Sequence, residues 1–359
     1  MNRLSAIGLV SVAAYGLLIA IKYAGVVSAA RDEKPSQAAA PTPLAVAAPA
    51  PPRAEPAPRR VVLPPPIERP EGSGTSAVAV EFRQARDLKA FVDRLMAHKD
   101  SLTGDERYLL AKALEECQFA TSLTEDITSY AAKQRRQFLA SLPQNDPNNA
   151  KRIAAYEAVD NTQRCARFQG ANISPKDIQD LLQQAAQEGD VRAQARLLVA
   201  ELNKNLAAGQ RADPAQAPSV STDDISRIIG LLETRDPEAM IIVGQFLAQS
   251  AIASQLHIGP NGEVPEPSAF LGAFSLVACD FGPDCTSLSS EPQLACAYGG
   301  YCSSASFEEL YQNFLASPWA YAQAVRYRGI IHTAINTQNW SLIGLESPLV
   351  YKQGVVAAR

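Results

Sequence analysis

Histidine is scarce in this chain: three occur in 359 residues, His98, His257 and His332, far apart in sequence. No H-E-x-x-H or comparable spacing of metal ligands is present, and no G-x-S-x-G, Walker loop or glycine-rich dinucleotide turn. Zinc hydrolases, serine hydrolases, P-loop enzymes and Rossmann enzymes are therefore left without their signatures. An excess of positive charge is also missing. Lys+Arg number 33 against 37 Asp+Glu, for a net charge of −4 and a pI near 5.6. That balance supplies no basic face to track a phosphate backbone, so nucleic acid is not an expected partner. Aromatics are only 7% of residues while hydrophobics reach 47% with abundant alanine, a composition suited to helix-on-helix packing. No convincing strand pattern is found, and the expected class is all-α.

What is present is unevenly distributed. Arg3 precedes an almost unbroken apolar run from Ile7 to Ile21. Residues 1–30 read either as a cleavable signal, with small residues at Val27-Ser28-Ala29, or as an uncleaved anchor with Lys22 snorkelling to the interface. The anchor reading puts residues 4–21 in an inner membrane. Both readings place the rest of the chain outside the cytoplasm. Residues 31–77 hold nearly half of the 25 prolines, mixed with alanine. Such a stretch cannot bury a core and reads as an extended, disordered linker.

The globular part is expected over 78–359, and its organising stretch is Ser174 to Leu202. Ser174 caps a helix with Pro175 at its first position and Asp177 one turn in. Ile178, Leu181, Leu182 and Ala185 recur at helical spacing. Gly189 closes that helix and Asp190 caps the next. Similar hairpins are expected over 174–207, 221–252 and 268–302, a period of roughly 46 residues. In the second, Ile225, Ile228, Ile229, Asp236 and Ala239 stand for Ile178, Leu181, Leu182, Asp190 and Ala193.

The run A-A-Q-E-G-D-V-R-A-Q-A-R-L from Ala185 resembles the Sel-like subclass of tetratricopeptide-type repeats, although the second unit lacks the glycine. That resemblance implies stacked helix hairpins with a concave face for protein or peptide. Earlier in the chain, Phe82, Leu88, Phe91, Val92 and Leu95 predict one helix. T-G-D-E at Thr103 to Glu106 predicts a capping box. Further helices are expected from about Glu125 to Leu142, from Asp146-Pro147 to Cys165 and from Ser317-Pro318 past Ile330. A tight turn is expected at Asn261-Gly262.

Six cysteines in an exported chain argue for disulfides. Cys117 and Cys165 are isolated from the rest and should pair. Cys279, Cys285, Cys296 and Cys302 form two C-x5-C units. The expected bonds are Cys279–Cys285 and Cys296–Cys302, with the crossed pairing of 279 to 296 and 285 to 302 as the rival. Zinc would want closer ligands and a histidine, and no C-x-x-C supports a redox pair. The runs C-D-F-G-P-D-C and C-A-Y-G-G-Y-C also resemble exported proteobacterial proteins.

No catalytic residue, cofactor or metal site is nominated. Glu115 and Glu116 read as a charged helix edge, Lys133, Arg135 and Arg136 as a solvated face, and Asp280 and Asp284 as caps. The expected function is a non-enzymatic periplasmic scaffold on a membrane-tethered stalk, binding protein or peptide of the cell envelope. The alternatives are a peptidoglycan-active envelope hydrolase with an acid in a helical groove, and a self-associating structural domain.

Overall fold

The computed structural model describes residues 76–212, 219–282 and 290–345, all within one compact unit. The apolar run of residues 4–21, the Pro/Ala linker up to residue 75, Asp284, Cys285 and the stretch from Ser347 lie outside the described residues. Thirteen α-helices and no strand occur among the described residues, with one isolated bridge between Ile258 and Glu263.

The first apolar run forms two helices, α1 (Ala77–Gln84) and α2 (Leu88–Met96), where the sequence suggests one. Asp87 accepts the Ala90 N–H at 3.0 Å and opens α2 as its N-cap. Arg164 makes the break permanent by donating to the carbonyls of Phe82 and Ala85, both at 2.8 Å. Orphan carbonyls at the end of α1 are thereby satisfied from a residue about 80 positions away. Next come α3 (Gly104–Thr121), α4 (Ile127–Ser141) and α5 (Asn149–Val159). Both arms of the Thr103/Glu106 capping box are made. Helix α5 stops short of the expected end at Cys165, because Asp160 turns the chain by accepting from Thr162 N–H and hydroxyl.

Two helix pairs follow: α6 (Pro175–Gln187) with α7 (Val191–Ala212), and α8 (Thr222–Glu233) with α9 (Pro237–Gln249). Their turns match closely. Gly189 has φ 91° and Arg235 has φ 57°, so the arginine occupies the left-handed position that glycine takes in the first turn. Asp190 and Asp236 then cap the returning helices by accepting from Ala193 N–H at 2.9 Å and Ala239 N–H at 2.8 Å. Both alanines are fully buried.

The outer helices correspond less well. Leu182 is buried where Ile229 is half-buried, and Leu181 is half-buried where Ile228 is buried, so the buried face is rotated by a residue. In the stretch expected to form a third hairpin, α10 (Pro267–Phe281) is a full helix. Its described return limb is only α11 (Glu291–Leu294) and a π turn, Ala295–Gly299. A short α12 (Phe307–Leu310), a second π turn and the long α13 (Pro318–Thr337) complete the order.

Helix α3 packs on α6, α6 on α7, α7 on α9, α9 on α10 and α10 on α13. Two large apolar cores result, beside a small third cluster of Phe138, Tyr156 and Ala297. The first holds Leu88, Leu95, Tyr108, Leu110, Phe168 and Ala193; the second holds Leu198, Ile228, Met240, Phe270, Phe274 and Ile331. Helix α7 serves both, giving Ala193 to the first and Ala195, Leu198, Leu202 and Leu206 to the second. Gly244 sets the approach of α9 to α10: a Cβ there would lie 2.4 Å from Phe274, itself fully buried. Gly244→Ala gains up to about 1 kcal/mol of helix propensity and loses about 1–3 kcal/mol or more to overpacking. A lowered urea midpoint is expected; a raised one would mean that Phe274 can yield.

Disulfides join Cys117 to Cys165, 48 positions apart, and Cys296 to Cys302, six apart. Cys279 is also disulfide-bonded, while Cys285 lies outside the described residues. The Cys296 loop is seated on α5 by Arg152, which donates to the carbonyls of Ala297 at 3.0 Å and Tyr298 at 3.2 Å. Phe138 and Tyr156 stack at 4.2 Å, and Tyr298 meets both edge-on.

Candidate functional site

The charged residues that invite a catalytic reading are engaged with one another. Glu115 takes a bidentate pair from Arg196 at 2.5 and 2.8 Å, and Glu116 pairs with Arg164 at 2.7 Å. Lys133 pairs with Glu125 and Arg135 with Glu157, on an open helix face. His98 is exposed 4.0 Å from Glu106, and His257 is exposed on a different element.

Asp280 is not a cap. It accepts from Arg328 through both oxygens and lies 2.6 Å from His332 Nε2. Burial pushes the Asp280 carboxyl up, but the hydrogen bonds from Arg328 and His332 outweigh it and hold the group below its ordinary value. The His332 ring is 6% exposed, packs 5.0 Å from Phe281, and leaves Nδ1 without a partner. So buried a ring has no access to substrate, and the pair ties α10 to α13. Arg328 and His332 are four residues apart on one helix face, the spacing that could have signalled a shared acidic partner.

A second polar cluster lies where the two cores meet. Glu238 Oε1 accepts from Tyr108 Oη and Lys112 Nζ, each at 2.7 Å. Arg192 lies 4.3 Å over the Tyr108 ring and bridges Asp105 and Asp190. Burial pushes the Glu238 carboxyl up, yet Lys112, Tyr108 and Arg192 together bring it below its ordinary value of 4.5. The Tyr108 hydroxyl is raised well above its ordinary value by burial and by the Glu238 charge. It stays protonated and donating at neutral pH. Each of these polar tips is engaged by another, so the cluster joins helices.

Among carboxyls held above their ordinary values, Glu291 has burial alone behind the shift. It opens the four-residue α11 and lines neither of the two grooves described next. No group of three or more His, Cys, Asp or Glu is placed to hold a metal among the described residues. Nor is any described helix long and apolar enough to cross a membrane.

Two surface grooves stand out among the described residues. One, of about 390 Å³, has Met96, Leu102, Leu110 and Leu181 between α2, α3 and α6, with Arg107 on its rim held by Glu188 and Gln184. The other, of about 560 Å³, lies between the Leu256–Pro267 turn and the start of α13. Its position follows from local chemistry. Gly262 at φ 63° and the Ile258–Glu263 bridge close the turn, and this carries Glu263 and Val264 outward. Ser317 caps α13 by accepting the Ala320 N–H at 3.1 Å, with Pro318 first, so Trp319 falls on the opening turn with no preceding turn to cover it.

Trp319 and Val264 are each 60% exposed and face this groove. Its floor is Tyr327, 3% exposed, with Arg326 stacked 5.0 Å over the ring. Arg326 in turn clasps Glu263 at 2.5 and 3.1 Å. Those bonds hold the Glu263 carboxyl below its ordinary value. For Glu266, burial is outweighed by hydrogen bonds from the Ser268 hydroxyl and Ala269 N–H. Both acids are thus ionised at neutral pH, and with Arg326 the groove carries one net negative charge.

An exposed tryptophan on a rigid turn, with an aliphatic neighbour and fixed charges, suits capture of an apolar, basic segment. The sequence reading missed this groove; S-P-W opening a helix was its one local sign. No family model matches the chain, and comparison with curated proteins and with solved structures finds no match.

Proposed function

We propose that this protein is a non-enzymatic interaction module of the cell envelope, docking a short apolar segment of a protein or peptide in the Trp319 groove. The observation that carries the reading is the pairing of Trp319 with Val264 over the Tyr327 floor. These are two of the four large hydrophobics exposed among the described residues, and they share one concavity. The disulfides support an oxidising compartment. In this proposal residues 4–21 hold the chain to an inner membrane, and the Pro/Ala segment spaces the helical unit from it. A Sel-like ancestry for α6–α9 is part of the same proposal, supported by the matched caps at Asp190 and Asp236. The hydrolase alternative needs an unpaired acid in a groove, and Glu263 and Glu266 are both engaged.

Selection from a random peptide library against the intact chain tests the docking. Selected peptides should carry an apolar anchor beside Lys or Arg. Trp319→Ala should weaken them by about tenfold to thirtyfold, the loss of a tryptophan contact worth about 1.4–2 kcal/mol. Peptides that bind Trp319→Ala as tightly as the parent would remove the groove from the proposal.

A further inference from the structure

We infer that the Trp319 groove takes its ligand as an extended polyproline helix, with a proline packed on the Trp319 indole and a lysine or arginine about three residues away against Glu263 and Glu266. The inference rests on the docking reading above and names the class of segment that docks.

The groove offers a ligand little backbone to pair with. Ile258 and Glu263 exchange both of their N–H···O bonds, at 2.7 and 3.2 Å. Pro265 has no N–H to give, and the Glu266 N–H is taken by the Tyr327 hydroxyl at 3.3 Å. That leaves the Val264 N–H as the one backbone donor of residues 263–266 without a partner, too few for an added β-strand. A helical ligand would need apolar anchors on successive turns. The groove has one apolar patch, Trp319 with Val264 over Tyr327, and beyond it come charges.

What the groove does offer is an aromatic face with free hydrogen-bond donors. The Trp319 indole N–H has no partner among the described residues. A guanidinium only donates, so the bond from Arg326 Nε, at 3.1 Å, turns the Gln323 carbonyl oxygen towards it and leaves the Gln323 NH2 free. Both donors suit a ligand rich in carbonyl oxygens. A proline-rich chain presents these along its length, with few N–H groups that need a partner. The spacing agrees. Trp319, Gln323 and Arg326 follow at i, i+4 and i+7 on one face of α13, so the first and last are about 10 Å apart along the axis. Three residues of polyproline helix advance about 9 Å. A proline on Trp319 thus brings a cation three residues away to the end where Arg326 clasps Glu263. That end is the negative one, because Glu263 and Glu266 are both ionised against the single charge of Arg326. The polyproline helix is also formed before it docks, so little ordering is left to do.

The probe is a synthetic hexaproline with an arginine at each end and a fluorophore on one terminus, titrated with the full chain and followed by anisotropy. Saturable binding is expected. Glutamates in place of the arginines should weaken it about tenfold or more, since they meet like charge. Alanines in place of the prolines should weaken it about tenfold, since that chain must be ordered on binding. These comparisons use the parent chain, so they hold whether or not a variant folds. Trp319→Ala should weaken the hexaproline probe about tenfold to thirtyfold, and Gln323→Leu about threefold to tenfold through the lost donor. Library-selected peptides should carry prolines three apart. No saturable binding of the hexaproline probe would overturn the inference, as would equal affinity for the proline and alanine probes or for the arginine and glutamate probes. Probe released as the chain is concentrated would overturn it too, by marking a second copy as the occupant. Docking itself stands in each case if selected peptides without proline still lose affinity on Trp319→Ala. It falls with the inference if no peptide depends on Trp319.

Discussion

Replacing Cys117 and Cys165 together by alanine is expected to cost about 4 kcal/mol of stability on the chain-entropy account, the largest loss from any one crosslink described here. The two residues are 48 positions apart, and freeing them returns to the unfolded chain the freedom of a long loop. Both sulfurs are fully buried among Phe82, Leu110 and Phe168 of the first core, so the alanines also leave a small void. The six-position loop of Cys296–Cys302 predicts about 2 kcal/mol by the same account. Urea titrations of the two double-alanine variants, compared with the parent in the absence of reductant, check both size and order. An unchanged midpoint for the Cys117/Cys165 pair would show that the helices α3 and α5 and the turn after them need no crosslink.

Glu238→Ala is expected to cost about 3 kcal/mol, the lower end for breaking a buried ion pair. The lower end applies because Lys112 is 27% exposed and can turn to water. Tyr108, 1% exposed, cannot, and its hydroxyl would be left unsatisfied in the core at about 1–3 kcal/mol. Tyr108→Phe removes donor and demand together and should cost only about 1 kcal/mol. The ranking of these variants by thermal melts separates a true polar joint from simple packing.

The same group sets a pH dependence. The folded carboxyl of Glu238 lies below its ordinary value of 4.5, so the unfolded chain binds its proton more readily than the folded one. This contribution is complete above that value and is lost as pH falls through the folded pKa. Glu238→Gln should therefore flatten the acid limb of the stability profile. An acid limb identical to the parent's would contradict the assignment.

Local chemistry was legible in the sequence. Ser174-Pro175, Thr103 with Glu106 and Ser317-Pro318 all start helices, because a cap is decided within four residues. The turn at Asp236 was legible for the same reason, even though Arg235 stands where a glycine was wanted. The break between α1 and α2 was not, since it depends on an arginine brought from Arg164 by the fold. Asp280 likewise read as a cap because its real partners, Arg328 and His332, lie about 50 positions away on another helix. The Trp319 groove is a property of two surfaces meeting, a turn and a helix start separated by more than 50 residues. No periodicity records that meeting.

Helix α7 also determines how the molecule can come apart. Its Ala193 and Leu197 pack in one core and its Ala195, Leu198, Leu202 and Leu206 in the other, so melting either core strips a helix that its neighbour still needs. Partial opening is thereby penalised twice, and an amide near Ala193 should exchange with solvent in the same events as one near Leu202. A protease acting on rare openings would meet a chain that is either closed or wholly unravelled, with few half-open forms to cut. That all-or-none habit is a form of durability against proteolysis.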